Sequence, residues 1–333
     1  MELVPCPISG DRDFTPLLEA PDRFAPSAPS WSLVRSSSSG LVMLNPRPEA
    51  TQASKYYPEQ SYDPFLHRGN CRNLRDRAYL YVGSLLLKAK AGIVMKGLHK
   101  PAGSVRVLEA GCSTGRLLLR LNRDYEIPLP NLWGIEPDRQ AAAVATAAGL
   151  RNISGADLAE TEFDNRFDRI VFWHVLEHLH RIEEALDKAH DLLEPDGVLV
   201  IALPNIDSDD AGRYGAHWIA IDAPRHLYHF TPETLTRLLG KHGFSVLDIT
   251  AFVPDAIYNV WYSEKLDRTL AGRPFSIRSA ARAAARTVSS VMTGIDPRRS
   301  SGFVCRAVRS NHDFGSALPT RPSDFSSSAE ATR

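Results

Sequence analysis

Residues 107–119 read Val-Leu-Glu-Ala-Gly-Cys-Ser-Thr-Gly-Arg-Leu-Leu-Leu. An apolar run ends in a carboxylate, Glu109, and a turn from Gly111 to Gly115 leads into a stretch of helical character. A glycine turn that cradles a pyrophosphate needs Gly-x-Gly-x-x-Gly, so that bare backbone meets the anion at a helix N-terminus. Here the glycines lie four apart and Arg116 stands where the last glycine belongs. Glu109 would also bring a like charge against a phosphate. The same carboxylate suits a cationic ligand. Two more acids close strand-like segments, Glu136 after "NLWGI" and Asp157 after "RNISGA". Histidines gather further on. His174 and His178 follow "FDRIVFW", and "DAPRHLYHF" holds Asp222, Arg225, His226 and His229. Imidazole is suited to proton transfer near neutral pH. The alternative for His178 is a helix-start contact, and for His226 a structural hydrogen bond within its loop. A metal cage from His217, Asp222, His226 and His229 has no firm ligand spacing, and no metal is assigned.

Alternating segments must position these groups. "SVRVLEA" reads as a buried strand and "GRLLLRLNRDY" as a helix. "NLWGIE" is a strand, and Asp138 caps an alanine-rich helix that Gly149 stops. "RNISGAD" and "FDRIVFW" are strands, and residues 180–193 space Ile182, Ala185, Leu186, Ala189 and Leu193 as a helix. "VLVIALPN" follows as a strand, and in "TPETLTRLLGKHG" Thr231 caps, Pro232 opens and Gly243 ends a helix. "FSVLDITAF" and "SGFVCRAVRS" are the last strands. Such alternation predicts an α/β, Rossmann-like sheet of seven mostly parallel strands with helices on both faces. Upstream, residues 71–99 carry a helical pattern through Leu74, Tyr81, Leu85 and Leu86, and residues 1–50 look loop-rich.

"LEAGCSTG" resembles the first motif of class I S-adenosylmethionine-dependent methyltransferases, acid-x-Gly-x-Gly-x-Gly. Glu109, Gly111 and Gly115 match it, and Ser113 departs. If position 113 needs a positive φ, serine costs on the order of 1 kcal/mol there. The resemblance implies S-adenosylmethionine as cofactor, Glu109 near its cationic end, Glu136 on the ribose hydroxyls and Asp157 near the adenine amine. It adds Cys112, Leu158 and Trp173 to the cofactor set, and it places His174, His178 and His226 where a catalytic base would act. "FDRIVFWHVLEHL" and "LLEPDGVLVIALPN" resemble the family's fourth and fifth strands, and "PRHLYHF" resembles an element of one subgroup. That subgroup carries an N-terminal zinc module built on two Cys-x-x-Cys pairs. Here Cys6 is retained, whereas Ser9, Ser36 and Ser39 take the other three positions, so the module is expected to keep its shape without zinc.

The expected division is a degenerate zinc-ribbon-like module at 1–50, a helical connector at 51–103, a methyltransferase domain at 104–310 and a disordered tail at 311–333. The acceptor is expected to be a small molecule of sugar, lipid-linked or secondary-metabolite type, methylated on oxygen before carbon. Lys+Arg and Asp+Glu are equal at 39 each, which gives no electrostatic case for nucleic acid. Four scattered cysteines and no apolar span of bilayer length point to a cytoplasmic protein. Arg278, Arg282 and Arg286 recur every four residues, either as a solvated face or as a surface for peripheral contact with an anionic membrane. Two rival functions stand beside this one. The first is a non-catalytic protein of the same fold. The second is a dinucleotide-dependent oxidoreductase, for which Glu136, 21 residues past Gly115, would serve as the ribose acid.

Overall fold

The computed structural model of the chain describes residues 1–57 and 74–310, the side chains of 74–82 excepted. The expected tail at 311–333, Cys71 and the first residues of the expected connector helix lie outside the described residues. The N-terminal part is more regular than its Pro- and Ser-rich composition suggests. It forms β1 (Phe14–Ala20), β2 (Trp31–Ser36) and β3 (Val42–Leu44), with the Pro- and Ser-rich stretches confined to the connections. Helix α1 (Leu74–Met95) follows, then β4 (Val107–Ala110), α2 (Arg116–Tyr125), β5 (Leu132–Ile135), α3 (Arg139–Ala147) and β6 (Asn152–Ser154). The second half runs β7 (Phe167–Trp173), α4 (Ile182–Leu192), β8 (Leu193–Pro204), α5 (Asp209–Tyr214), β9 (Tyr228–His229) and α6 (Pro232–Lys241). It closes with β10 (Phe244–Ala251), α7 (Pro254–Leu270), α8 (Ile277–Thr293) and β11 (Gly302–Arg309).

Local chemistry sets these boundaries. The Asp138 side chain accepts from the Ala141 amide at 2.7 Å and opens α3. At α6, Thr231 and Thr234 exchange side-chain and backbone hydrogen bonds in a capping box behind Pro232. Strand β7 is buried along its whole length although it contains Asp168 and Arg169. Both charges are satisfied. Asp168 accepts from Lys100 and from the Arg106 amide, and Arg169 donates to the carbonyls of Val94 and Lys96 at the end of α1.

The seven-stranded sheet has the order β10-β11-β8-β7-β4-β5-β6. β11 runs antiparallel to both its neighbours, and the remaining pairs are parallel. The chain builds outward from β4 to β6, then returns to the other side of β4 to lay down β7. Order therefore reverses at β4, and in such sheets ligands bind beyond the carboxyl ends of the strands at that point. Apolar side chains from both faces of the sheet form two buried clusters, one beneath α4 and α6, the other beneath α1 and α2.

The smaller sheet has the order β1-β2-β3-β9. Its fourth strand comes from the "PRHLYHF" segment, with Val42 opposite His229 and Met43 opposite Tyr228. The Leu44 amide extends the pairing to the Leu227 carbonyl at 2.9 Å. Helix α7 has no counterpart in the sequence reading, and its partner changes the reading of the arginine stripe. Arg286 donates to Glu264 of α7 at 2.7 Å, and Arg282 lies 3.4 Å from the same fully buried carboxylate. Two of the three arginines thus hold α8 against α7 and do not form a purely solvated face. No described helix is long and apolar enough to cross a membrane.

Candidate active site

The turn after β4 is held in a left-handed geometry at three points, with φ of 66° at Gly111, 48° at Ser113 and 71° at Gly115. Two of the three also lack space for a side chain. A Cβ on Gly111 would lie 2.4 Å from Val175, and one on Gly115 would lie 2.2 Å from Leu150. Ser113 shares the left-handed geometry of the two glycines, so the condition under which serine is strained at this position is met, and its amide donates to Glu136 Oε2 at 2.8 Å. Cys112 is buried, and its amide reaches the Ile135 carbonyl at 3.0 Å, which joins the turn to the end of β5.

Glu109, next to last in β4, is 6% exposed, and its Oε2 has no hydrogen-bond partner. Burial pushes its carboxyl up to about 8, opposed by Lys90 and reinforced by Glu136. An unpartnered buried carboxylate is costly and fits a site that receives a cation or a donor. The ammonium and sulfonium of S-adenosylmethionine supply the first. Glu136 ends β5 half-buried, accepting from the Ser113 and Asp138 amides and keeping further lone pairs on both oxygens. Asp157 follows β6, half-exposed, and takes the Ala159 amide, with Leu158 buried beside it. Trp173 ends β7 with a buried, unpartnered ring N–H. All eight expected cofactor residues therefore lie at or just beyond the carboxyl ends of β4, β5, β6 and β7.

The histidines occupy the neighbouring connection. His174 takes a positive φ of 53° directly after β7, with Nε2 3.1 Å from Asp255 and Nδ1 3.6 Å from Glu177. Burial disfavours its charged form, but the two carboxylates outweigh this and lift it to about 9. His178 and His226 pack edge to face with ring centres 4.5 Å apart. His178 Nδ1 lies 3.0 Å from the Arg225 carbonyl, and His226 Nδ1 lies 2.8 Å from the Ala220 carbonyl. Burial and the neighbouring His178 and His229 hold His226 well below the ordinary histidine range. His229 is pushed down to about 3, again mainly by burial. The four-residue cage of His217, Asp222, His226 and His229 does not form. His217 pairs with Asp267 of α7 at 2.8 Å, and Asp222 is engaged by Arg23 and Arg225.

Four participants were not among the residues singled out from sequence. Lys90 on α1 stands with its ammonium 4.6 Å from the centre of the Trp173 ring, close enough to Glu109 to oppose its protonation. Nothing in a 22-residue helix that also carries Lys88 marks that one. Asp255 belongs to the unforeseen α7. Asp22, in the N-terminal part, accepts from Arg225 at 2.8 Å. Glu177 lies inside the quoted "VLEHL" segment, where its apolar neighbours were the available signal that it is buried.

The profile of the methyltransferase-domain family matches residues 66–249. A ubiquinone biosynthesis O-methyltransferase of Azorhizobium caulinodans is 25% identical over 177 residues, covering 49% of this chain and 67% of that protein. A carboxy-S-adenosyl-L-methionine synthase of Wolinella succinogenes is 28% identical over 132 residues, covering 38% of this chain and 54% of that protein. Among solved structures, StiE O-MT residues 961–1257 superpose with a TM-score of 0.48 at 15% identity, covering 73% of this chain and 79% of that one. The family match spans more than half of the chain and encloses the turn, both following strand-end acids and the histidine segments, so the dinucleotide reading falls away. The chain belongs to the methyltransferase-domain family and is an S-adenosylmethionine-dependent methyltransferase.

Proposed function

We propose that the chain methylates a hydroxyl oxygen of a small molecule of sugar, lipid-linked or secondary-metabolite type. The observation that carries the cofactor half is Glu109, a buried carboxylate with an unpartnered oxygen beside the glycine turn. Bound S-adenosylmethionine supplies an electrophilic methyl group on a sulfonium. Glu109 draws the cationic end into the turn, Glu136 offers its remaining lone pairs to the ribose, and Asp157 faces the adenine. The connection after β7, together with "DAPRHLYHF", then closes the reacting end, because Val175 packs over Gly111 and His178 packs on His226. Excluding water and fixing the acceptor in line supply much of the rate in such a transfer. Oxygen as acceptor is supported by the O-methyltransferase name of the relative described above.

The N-terminal sheet covers the acceptor side, tied down by β9. Its loops 6–10 and 36–40 read as a zinc module that has lost its metal. Both keep the same turn, with the Gly10 amide on the Cys6 carbonyl and the Gly40 amide on the Ser36 carbonyl. Cys6 Sγ lies 3.1 Å from Ser39 Oγ, and the Ser39 amide donates to Ser36 Oγ at 3.2 Å. Hydroxyl hydrogen bonds thus fill the place that metal bonds would take.

A second reading is a cofactor-binding protein without turnover. It is favoured by the burial that holds His226 and His229 neutral and weakly basic, and by a His174 already protonated at neutral pH. The deciding experiment is transfer of a labelled methyl group from S-adenosylmethionine to a panel of sugar, phenolic and lipid-linked acceptors, alongside calorimetric cofactor binding. Turnover on any oxygen acceptor establishes the first reading. Tight binding with no transfer across the panel establishes the second.

A further inference from the structure

Glu177 is 1% exposed, and neither of its carboxylate oxygens has a hydrogen-bond partner. His174 Nδ1 stands 3.6 Å from Oε1, an ion-pair distance without a hydrogen bond, so the carboxylate keeps unfilled acceptor positions in a dry interior, where such groups are usually hydrogen-bonded or bound to a metal. The one-turn helix Leu176–His178 that carries it places His178 beside it, and His226 comes in from the "DAPRHLYHF" segment. One ligand atom from each of the three residues lies within 4.8 Å of the other two.

The hydrogen bonds around the two imidazoles fix which nitrogens are available. His178 Nδ1 lies 3.0 Å from both the Arg225 carbonyl and the Tyr57 hydroxyl; the carbonyl can only accept, so it calls for a proton on Nδ1, with the Tyr57 oxygen as a second acceptor. The Ala220 carbonyl at 2.8 Å does the same for His226 Nδ1. In both rings the lone pair is then on Nε2. A backbone carbonyl on the far ring nitrogen is the usual way that a metal-binding histidine is oriented. His226 Nε2 is 4.0 Å from Asp222 Oδ2, beyond hydrogen-bond reach. His229, whose buried Nε2 also has no partner, lines a narrow cleft together with Glu177, His226 and the unpartnered ring N–H of Trp218.

We propose that Glu177, His178 and His226 bind one divalent first-row transition-metal ion such as Zn²⁺, Mn²⁺ or Co²⁺. Two imidazoles and one carboxylate suit these ions, whereas Ca²⁺ and Mg²⁺ favour oxygen ligands. Ligands about 2.1 Å from one ion are at most about 4.2 Å apart, so the side chains close by less than about 1 Å on binding. Three protein ligands leave a coordination position open. On the methyltransferase reading, that position would take the acceptor oxygen, since the segment bearing Glu177 and His178 begins with Val175 against the cofactor turn.

The test uses the full chain stripped with a chelator and titrated with Co²⁺, followed by visible absorption, with Zn²⁺ competition followed by calorimetry. The expected result is one equivalent of Co²⁺ with the ligand-field bands of a four- or five-coordinate site and no thiolate charge-transfer band. Glu177→Gln and His178→Ala should each weaken binding at least tenfold. Circular dichroism identifies any variant that fails to fold, and the wild-type titration decides the question without the variants. Wild type that takes up no Co²⁺, or folded variants that bind as wild type does, overturn the proposal. Calorimetry of the stripped protein with S-adenosylmethionine reads the cofactor site separately, so loss of the metal proposal is distinguishable from loss of the methyltransferase reading.

Discussion

The backbone amide of Ser113 donates to Glu136 Oε2, and the other oxygen of Glu136 takes the Asp138 amide. The acid at the end of β5 thereby shapes the turn after β4 before any ligand arrives. A carboxylate assigned to the ribose therefore has a second task, to hold the glycine turn in its binding geometry.

Glu136→Ala removes both acceptors. Hydrogen bonds to a charged group contribute roughly 1.5–3 kcal/mol each when buried, and partial exposure of Glu136 lowers that. The variant should lose about 1–3 kcal/mol of stability in urea unfolding and bind S-adenosylmethionine at least tenfold more weakly by calorimetry. Cofactor affinity and stability both equal to wild type would show that Glu136 neither pins the turn nor meets the ribose.

Ser113→Gly tests the departure from the motif. Ser113 holds a φ of 48°, where a Cβ is strained and glycine is not. Its backbone amide, which does the binding, is kept in the variant. The melting temperature should rise by the equivalent of about 1 kcal/mol, less the chain entropy that glycine adds to the unfolded state, and cofactor affinity should hold or improve. A melting temperature that falls would mean that the serine side chain makes a stabilising contact which outweighs the strain.

Most of the sheet was legible because each β-strand near β4 is a short apolar run closed by an acid or a turn, and its helices carry caps at the expected places. The cofactor set was legible for the same reason, since strand-end residues in register keep their positions whatever the loops do. What escaped were groups whose role depends on distant chain. Asp255 and Glu264 acquire partners through α7, a helix whose apolar positions are spread around its circumference and leave no single stripe to read. Glu177 looked like one polar residue in a helix-start segment, and only the fold brings His226 to it. The pairing of β9 with β3 was invisible, because a two-residue strand carries no period.

Arg225 joins the two parts of the chain. It is buried, pairs with Asp22 at 2.8 Å and Asp222 at 2.7 Å, and donates to the Tyr56 carbonyl. Removing one member of such a cluster leaves uncompensated buried charge, at a cost of about 3–5 kcal/mol. Arg225→Met should therefore unfold at lower urea and expose residues 1–57 to limited proteolysis ahead of the sheet domain. Arg225→Lys should recover only part of the loss, because one ammonium does not reproduce the forked contacts. Proteolysis of Arg225→Met that starts elsewhere would remove this residue as the fastening of the N-terminal sheet.

The serine-bearing loops make a gain-of-function prediction. Ser9→Cys, Ser36→Cys and Ser39→Cys, combined, restore four thiols on loops whose turns already match. The triple variant should bind Co²⁺ with a strong thiolate charge-transfer band and melt higher with Zn²⁺, while wild type shows no such band. The band should persist when Glu177→Gln is added, which separates it from the histidine site. A triple variant that lacks the band would show that the two loops are not built around a metal position.

Glu109 gives the pH dependence its sign. Its carboxyl is raised from an ordinary value of 4.5 to about 8, chiefly by burial. The folded, ligand-free chain therefore holds a proton that the unfolded chain releases. This contributes stability that is full below about pH 4.5 and is lost as pH rises to about 8. A cationic ligand selects the ionised carboxylate, so cofactor binding expels that proton. Affinity for S-adenosylmethionine should rise with pH through this window, by up to about tenfold per unit, and level off above about 8. Calorimetry in buffers of different ionisation enthalpy should register about one proton released near pH 6. Glu109→Gln should flatten the profile and weaken binding most at pH 8, where the wild-type carboxylate is charged. A wild-type affinity independent of pH from 5 to 8, with no proton released, would place the cationic end of the cofactor away from Glu109.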